Sequence, residues 1–108
     1  FRVVVPETES WLLADAETMA RFLDISRALI PSNPEALADP KLTLVNLARR
    51  SRRARLREAM VPPPRVSSVV GPGYQAEVER YVANHWNIEA AMKRSQSLQR
   101  CVTRLREL

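Results

Sequence analysis

Apolar residues recur at intervals of three and four positions through most of this chain. Examples are Met19, Phe22 and Leu23 and, further along, Leu44 and Leu47. Because this spacing places apolar side chains on one face of a helix, it predicts amphipathic helices. The predicted helices cover residues 16–23, 40–59, 74–86, 88–92 and the segment from 95 onward, with a single helical turn at 35–37. The chain is therefore expected to be mostly helical.

Polar residues that stand directly before these segments are suited to capping helix N-termini. Their side-chain oxygens can accept hydrogen bonds from the free backbone N–H groups of the first helical turn. Pro40 fits the first position of its helix, where a backbone N–H is not needed. The predicted caps are Asp15, Asn33, Asp39 and Asn87, and Ser95 is predicted to start the last helix.

A segment containing prolines and both glycines separates the central helix from the helix that begins at Tyr74. The prolines at 62–64 end the central helix and stiffen the chain as polyproline II. Gly71 and Gly73 lack the spacing of a phosphate-binding loop and suit the turn into the next helix. Residues 61–73 are thus predicted to form a stiff loop.

The first residues of the chain have a different pattern. Arg2–Val5 contains three consecutive valines, which predicts a β-strand buried on both faces of a mostly parallel sheet. A single strand leaves its backbone groups unpaired, so its neighbours must come from residues upstream of Phe1 or from a second chain. We therefore expect the C-terminal portion of a single larger domain, with one core strand followed by five or six helices.

Two glutamates follow the predicted strand, and an aspartate stands nearby. Glu7 and Glu9 come just after Pro6, and Asp15 precedes the next helix. Acids at the end of a strand are where open α/β sheets build metal or substrate sites. Since the chain has one histidine and one cysteine, a metal site would depend on oxygen ligands, which suit Mg²⁺ or Mn²⁺ better than zinc. The alternative is that the glutamates only occupy a helix N-terminus, where negative charge is favoured by about 0.3–1 kcal/mol.

The composition narrows the choice of partner and compartment. Hydrophobic residues make up 45% of the chain, which suits a packed core, and the net charge of +5 favours an anionic partner. Of the 17 basic residues only Lys41 and Lys93 are lysine, and arginine is the better bidentate phosphate ligand. No stretch has the roughly 18 apolar residues of a membrane span. A single cysteine suits a reducing compartment, so we expect a cytoplasmic protein without a membrane partner.

Six arginines are concentrated in the second half of the predicted central helix, at positions 49, 50, 52, 53, 55 and 57. At about 100° per residue they point almost all around the helix axis, so several must be solvated. Arg49, Arg50, Arg53 and Arg57 are candidates for binding the phosphates of DNA or RNA. The alternative is a solvated arginine-rich face. No aromatic residue interleaves with these arginines, so stacking on bases is not indicated.

His85 and Cys101 are predicted to have structural roles. His85 stands beside Trp86 near a predicted helix end, where it would pack or cap, and no serine or cysteine nucleophile accompanies it. Cys101 lies on the apolar stripe of the last helix and is predicted to be an inert buried thiol.

The segment Glu7–Asp15, ETESWLLAD, resembles the second half of an uncharacterised TOPRIM-like family. That family carries a Glu-x-Glu pair, an aromatic or aliphatic residue, two leucines and an aspartate after a core strand. The segments Gly71–Tyr74 and Ser95–Leu105 also resemble its C-terminal helices. The resemblance implies an α/β fold of the TOPRIM or Rossmann type. Its members often lie beside ATPase genes, an arrangement similar to the nuclease–ATPase pairs of bacterial phage defence.

The resemblance implies a fragment of a Mg²⁺-dependent, nuclease-like protein that processes phosphodiesters together with an ATPase partner. It assigns Glu7 and Glu9 to catalysis, and Glu7, Glu9 and Asp15 to Mg²⁺ binding. TOPRIM-type folds also use a glutamate after the first strand and an Asp-x-Asp motif, and neither occurs in these residues. The chain alone is therefore predicted to be inactive.

Two other hypotheses fit the same residues. In one, the chain is a non-catalytic arginine-rich helical module that binds nucleic acid or docks a protein partner. In the other, its helices only brace the sheet and dock the partner ATPase.

Overall fold

The computed structural model describes the backbone of residues 6–108 and the side chains of residues 9–108. Its helices are α1 (Pro6–Ala14), α2 (Ala16–Leu23), α3 (Pro40–Arg49), α4 (Ala54–Met60), α5 (Tyr74–Asn84), α6 (Ile88–Met92) and α7 (Gln96–Arg106). Two short 3₁₀ turns, Arg27–Leu29 and Pro34–Ala36, lie between α2 and α3. None of these helices combines the length and the apolar composition that crossing a bilayer requires.

The predicted α/β fold is wrong for the part of the chain that the structure describes, because residues 6–108 contain no β-strand. The predicted strand at Arg2–Val5 lies outside the described residues. Glu7 and Glu9, expected at the end of that strand, lie within α1. Their position in the first turn of α1 agrees with the alternative that they occupy a helix N-terminus. Pro6 fits the first position of this helix, because its fixed φ and missing N–H suit a first helical turn.

Helix α1 lies at the centre of the described fold, where it contacts α2, α3, α6 and the 3₁₀ turn Pro34–Ala36. Its Leu12 and Leu13 side chains are buried, and each contributes about 1.5–3 kcal/mol by leaving water. The same core takes buried side chains from four other helices. Among them are Met19 of α2, Leu44 of α3, Leu56 of α4 and Tyr81 of α5.

The C-terminal helices attach to α1 through a smaller apolar cluster. Its buried members are Ala14, Ala91, Leu98 and Val102. Two tryptophans pack against this cluster and make hydrogen bonds across it. Trp11 donates through Nε1 to Ser97 Oγ at 2.8 Å, and Trp86 donates through Nε1 to the backbone oxygen of Trp11 at 3.1 Å. These bonds fix α6 and α7 against α1.

Most of the predicted N-caps are confirmed. The capping oxygens accept hydrogen bonds from backbone N–H groups three residues further along the chain, at 3.0–3.3 Å. Asn33 was predicted to do the same but makes no capping hydrogen bond. The confirmed caps are Asp15, Asp39 and Asn87. Ser95, predicted to start the last helix, is its N-cap.

The predicted central helix over 40–59 is interrupted, since α3 ends at Arg49 and α4 begins at Ala54. Ser51 lies in the interruption and is buried. Its hydroxyl donates to the backbone oxygen of Leu23 and accepts from the N–H of Arg53 at 3.0 Å. These bonds replace the helical hydrogen bonds of this turn and hold it against the end of α2. The arginines after Ser51 therefore belong to the junction and to α4, and not to a continuation of α3.

Residues 61–73 contain no helix and return the chain onto α4. The N–H groups of Gly71 and Gly73 donate to the backbone oxygens of Met60 and Ala59, at 2.9 and 2.8 Å. A Cβ atom at Gly71 would collide with the Ala59 carbonyl, so the close approach of the two backbone segments requires glycine there. The contact places the start of α5 beside the end of α4.

Candidate anion-binding site

A cavity of about 520 Å³ opens between α2, the start of α4 and the C-terminal half of α5. Its walls are mostly basic or polar, which is unusual because like charges repel one another across a small space. The side chains that give it this character are Arg21, Arg53, Arg55, Arg80, Asn84 and His85. An arrangement of this kind suits an anionic ligand.

Helical spacing explains the contributions of α2 and α5. On α2, Thr18 and Arg21 are three residues apart and Phe22 follows, so all three reach one side of the helix. On α5, Arg80 and Asn84 are four residues apart and therefore lie on one face. His85 follows at the C-terminal cap and extends that face.

The interruption after α3 supplies the remaining arginines. Arg53 is the N-cap residue of α4, and Arg55 lies in its first turn. Because Ser51 holds this turn against Leu23 at the end of α2, both arginines face the cavity. A continuous helix over 40–59 would distribute the same side chains around its axis.

Glu77 lies beneath the cavity and holds two of its arginines. Only 8% of the Glu77 side chain is exposed. Arg55 donates to its Oε2, and Arg80 Nε lies 3.6 Å from its Oε1. Since buried carboxylates require a positive partner, Glu77 fixes these two guanidinium groups at the cavity wall.

Arg21 and Arg53 are placed differently. Both are exposed, and neither forms an ion pair with any residue whose side chain the structure describes. Four arginines therefore line the cavity, and none of its lining residues is acidic. The guanidinium donors of Arg21 and Arg53 remain available to a ligand.

Aromatic rings form one side of the cavity. The Phe22 ring centroid lies 5.4 Å from that of His85 and 5.0 Å from that of Tyr81. Tyr81 is buried, and burial together with the charge of Asp15 raises the pKa of its hydroxyl, which stays protonated. The exposed ring of His85 is the aromatic surface that a ligand can reach.

The acids predicted to bind Mg²⁺ have partners within the protein. Glu9 is buried and accepts a hydrogen bond from the Tyr74 hydroxyl at 3.1 Å. Asp15 is 3% exposed and accepts through Oδ1 from the Thr18 N–H and through Oδ2 from the Asn87 N–H, at 3.3 and 2.9 Å. Both carboxylates thus join α1 and α2 to later helices.

The side chain of Glu7 lies outside the described residues. Among the side chains described from residue 9 onward, no group of three or more His, Cys, Asp or Glu residues is arranged to hold a metal ion. The Mg²⁺ site stays a prediction.

Of the four arginines predicted to bind nucleic acid, Arg53 lines the cavity. Arg49 donates through Nε to Asn46 Oδ1 at 3.2 Å, and Arg57 donates to the backbone oxygen of Ser51. Arg50 is exposed at the C-terminal cap of α3. Arg21, Arg55, Arg80 and His85 also line the cavity, although the sequence pattern did not predict this role for them.

The spacing of Arg80 and Asn84 on α5 was visible in the sequence, but it does not show which helix lies opposite.

His85 is the C-terminal cap residue of α5 and lies near Phe22, in agreement with the structural role predicted for it, and it also faces the cavity. Cys101, predicted to be buried, is partly exposed.

Comparison with known proteins adds no relative, since no protein-family model, curated protein or solved structure matches this chain. The TOPRIM-like resemblance therefore stays a hypothesis.

Proposed function

We propose that this chain is a non-catalytic, arginine-rich helical module that binds nucleic acid through the cavity between α2, α4 and α5. The observation that carries the proposal is the convergence of Arg21, Arg53, Arg55 and Arg80 on one concave surface. Guanidinium groups bind phosphate oxygens through paired, charge-assisted hydrogen bonds.

The distribution of charge supports a polyanionic ligand. The chain carries a net charge of +5, and four of its arginines line the cavity. A basic surface of this kind attracts nucleic acid from a distance, and binding releases counterions from the phosphate backbone. Affinity is therefore expected to fall steeply as salt increases.

We assign a binding role to the cavity, because guanidinium groups donate hydrogen bonds to phosphate oxygens and neutralise their charge. Glu77, the acid beneath it, is held by Arg55 and Arg80 and so serves to position them. The Mg²⁺-dependent nuclease hypothesis depends instead on Glu7, Glu9 and Asp15, and neither Glu9 nor Asp15 lines the cavity.

The test is the binding of a fluorescently labelled single-stranded oligonucleotide, measured by anisotropy between 50 and 300 mM salt. Removing the two free cavity arginines with Arg21→Ala and Arg53→Ala is expected to weaken binding. It should also reduce the slope of log affinity against log salt by about 1.4, since each phosphate contact to a single strand contributes about 0.7.

The matched control removes Arg27 and Arg104, which are exposed and lie outside the cavity. This control should leave the slope within about 0.3 of that of the unsubstituted protein. The proposal is wrong if the unsubstituted protein shows no salt-dependent binding, or if the two double variants bind equally well.

A further inference from the structure

We infer that the cavity recognises the terminal phosphate monoester of a nucleic-acid strand, rather than phosphodiesters along its length. This inference rests on the proposed function, because it specifies which part of the nucleic acid enters the site. Three properties of the cavity support it: its charge, its shape and its exposed aromatic ring.

The charge of the cavity matches a monoester better than a diester. A phosphodiester carries one negative charge, whereas a terminal phosphate carries about 1.5–2 and presents three acceptor oxygens. Arg21 and Arg53 have all their donors free, as far as the described side chains show. Arg55 and Arg80 contact Glu77 through one nitrogen each, so they also retain donors.

The shape of the cavity favours a strand end. Its volume of about 520 Å³ lies in the range of small-ligand sites, roughly 300–1,000 Å³. An internal phosphate is connected to a sugar on both sides, so the mouth of the cavity would have to accommodate two flanking nucleotides. A terminal phosphate has a single connection and can enter directly.

The aromatic side of the cavity can contact the base of the nucleotide that carries this phosphate. The exposed His85 ring, backed by Phe22 at 5.4 Å, offers a surface on which a base can stack. Stacking accepts any base, so we expect recognition of the end to depend weakly on sequence. Asn84 adds a neutral donor and acceptor at the same edge.

The test uses one single-stranded oligonucleotide in three forms, with a 5′-phosphate, with a 3′-phosphate, or with hydroxyl groups at both ends. At least one phosphorylated form should bind about tenfold more tightly than the hydroxyl form, since charge-assisted hydrogen bonds distinguish them. The Arg21→Ala, Arg53→Ala double variant should reduce this preference to less than about twofold. The Arg27→Ala, Arg104→Ala control should retain it.

Other outcomes separate the inference from the proposed function. Equal binding of all three forms would overturn the strand-end assignment and leave nucleic-acid binding in place. A nucleoside monophosphate that binds as tightly as the phosphorylated oligonucleotide would also overturn it, in favour of a free nucleotide. If none of the oligonucleotides binds, both proposals fail.

Discussion

Tyr74 donates a hydrogen bond from its hydroxyl group to the Glu9 carboxylate at 3.1 Å, joining the start of α5 to α1. The two residues are 65 positions apart in the chain, and both are buried. Burial and the neighbouring Glu9 charge raise the pKa of Tyr74, so its hydroxyl remains a donor. A carboxylate that the sequence places in a possible active site thus has a structural role in the core.

Replacing Tyr74 with phenylalanine should lower the free energy of unfolding by about 1.5–3 kcal/mol, because a buried carboxylate then loses its donor. Urea unfolding followed by circular dichroism measures this change. Glu9→Gln is the matched control. Its amide oxygen can still accept from Tyr74, so the loss should be smaller. Equal stability of Tyr74→Phe and the unsubstituted protein would contradict the structural role of this bond.

Stability should fall as the pH rises above about 10, where tyrosine in an unfolded chain loses its proton. The folded pKa values of Tyr74 and Tyr81 are raised, both chiefly by burial, so the folded state keeps these protons longer than the unfolded state. The stabilisation is therefore complete below pH 10 and is lost above it, by about 1.4 kcal/mol per pH unit for each tyrosine.

Unfolding measured between pH 9 and 11.5 tests this dependence. Tyr74→Phe should lose roughly half of the alkaline slope because Tyr81 remains. An alkaline slope that is the same in the variant and the unsubstituted protein would show that Tyr74 does not contribute.

Ser51→Ala should reduce stability by about 1–2 kcal/mol, since it removes the hydrogen bonds to Leu23 and Arg53 and leaves buried backbone groups unpaired. Chemical denaturation measures the loss. The exposed Ser67 provides a matched control, and Ser67→Ala should stay within about 0.5 kcal/mol. If the two variants are equally stable, Ser51 does not hold the junction between α3 and α4.

Millimolar Mg²⁺ should leave the melting temperature unchanged. Both oxygens of Asp15 accept backbone N–H groups, and Glu9 is buried against Tyr74, so binding the ion would disturb existing contacts. Differential scanning fluorimetry with Mg²⁺ or with EDTA checks this expectation. A stabilisation by Mg²⁺ that Glu9→Gln removes would instead support the predicted metal site.

Local features of the sequence located the ends of several helices correctly. Asp15, Asp39 and Asn87 were identifiable as caps because a capping side chain binds an N–H group only three residues away. Glu7 and Glu9 show the limit of such rules. Acidic residues suit both a site at a strand end and the N-terminus of a helix, and the sequence left both interpretations open.

The amino-acid sequence by itself determined the helical periodicity, the caps, the loop residues and the excess of arginine. Only the tertiary structure decided that Ser51 interrupts a helix and that arginines of α2, α4 and α5 surround one cavity. The physical reason is the separation along the chain between the residues that interact. Caps and periodicity depend on neighbours within one or two turns, whereas the Ser51–Leu23 and Tyr74–Glu9 contacts join residues 28 and 65 positions apart. Contacts between such distant residues form only when the apolar faces of whole helices pack together.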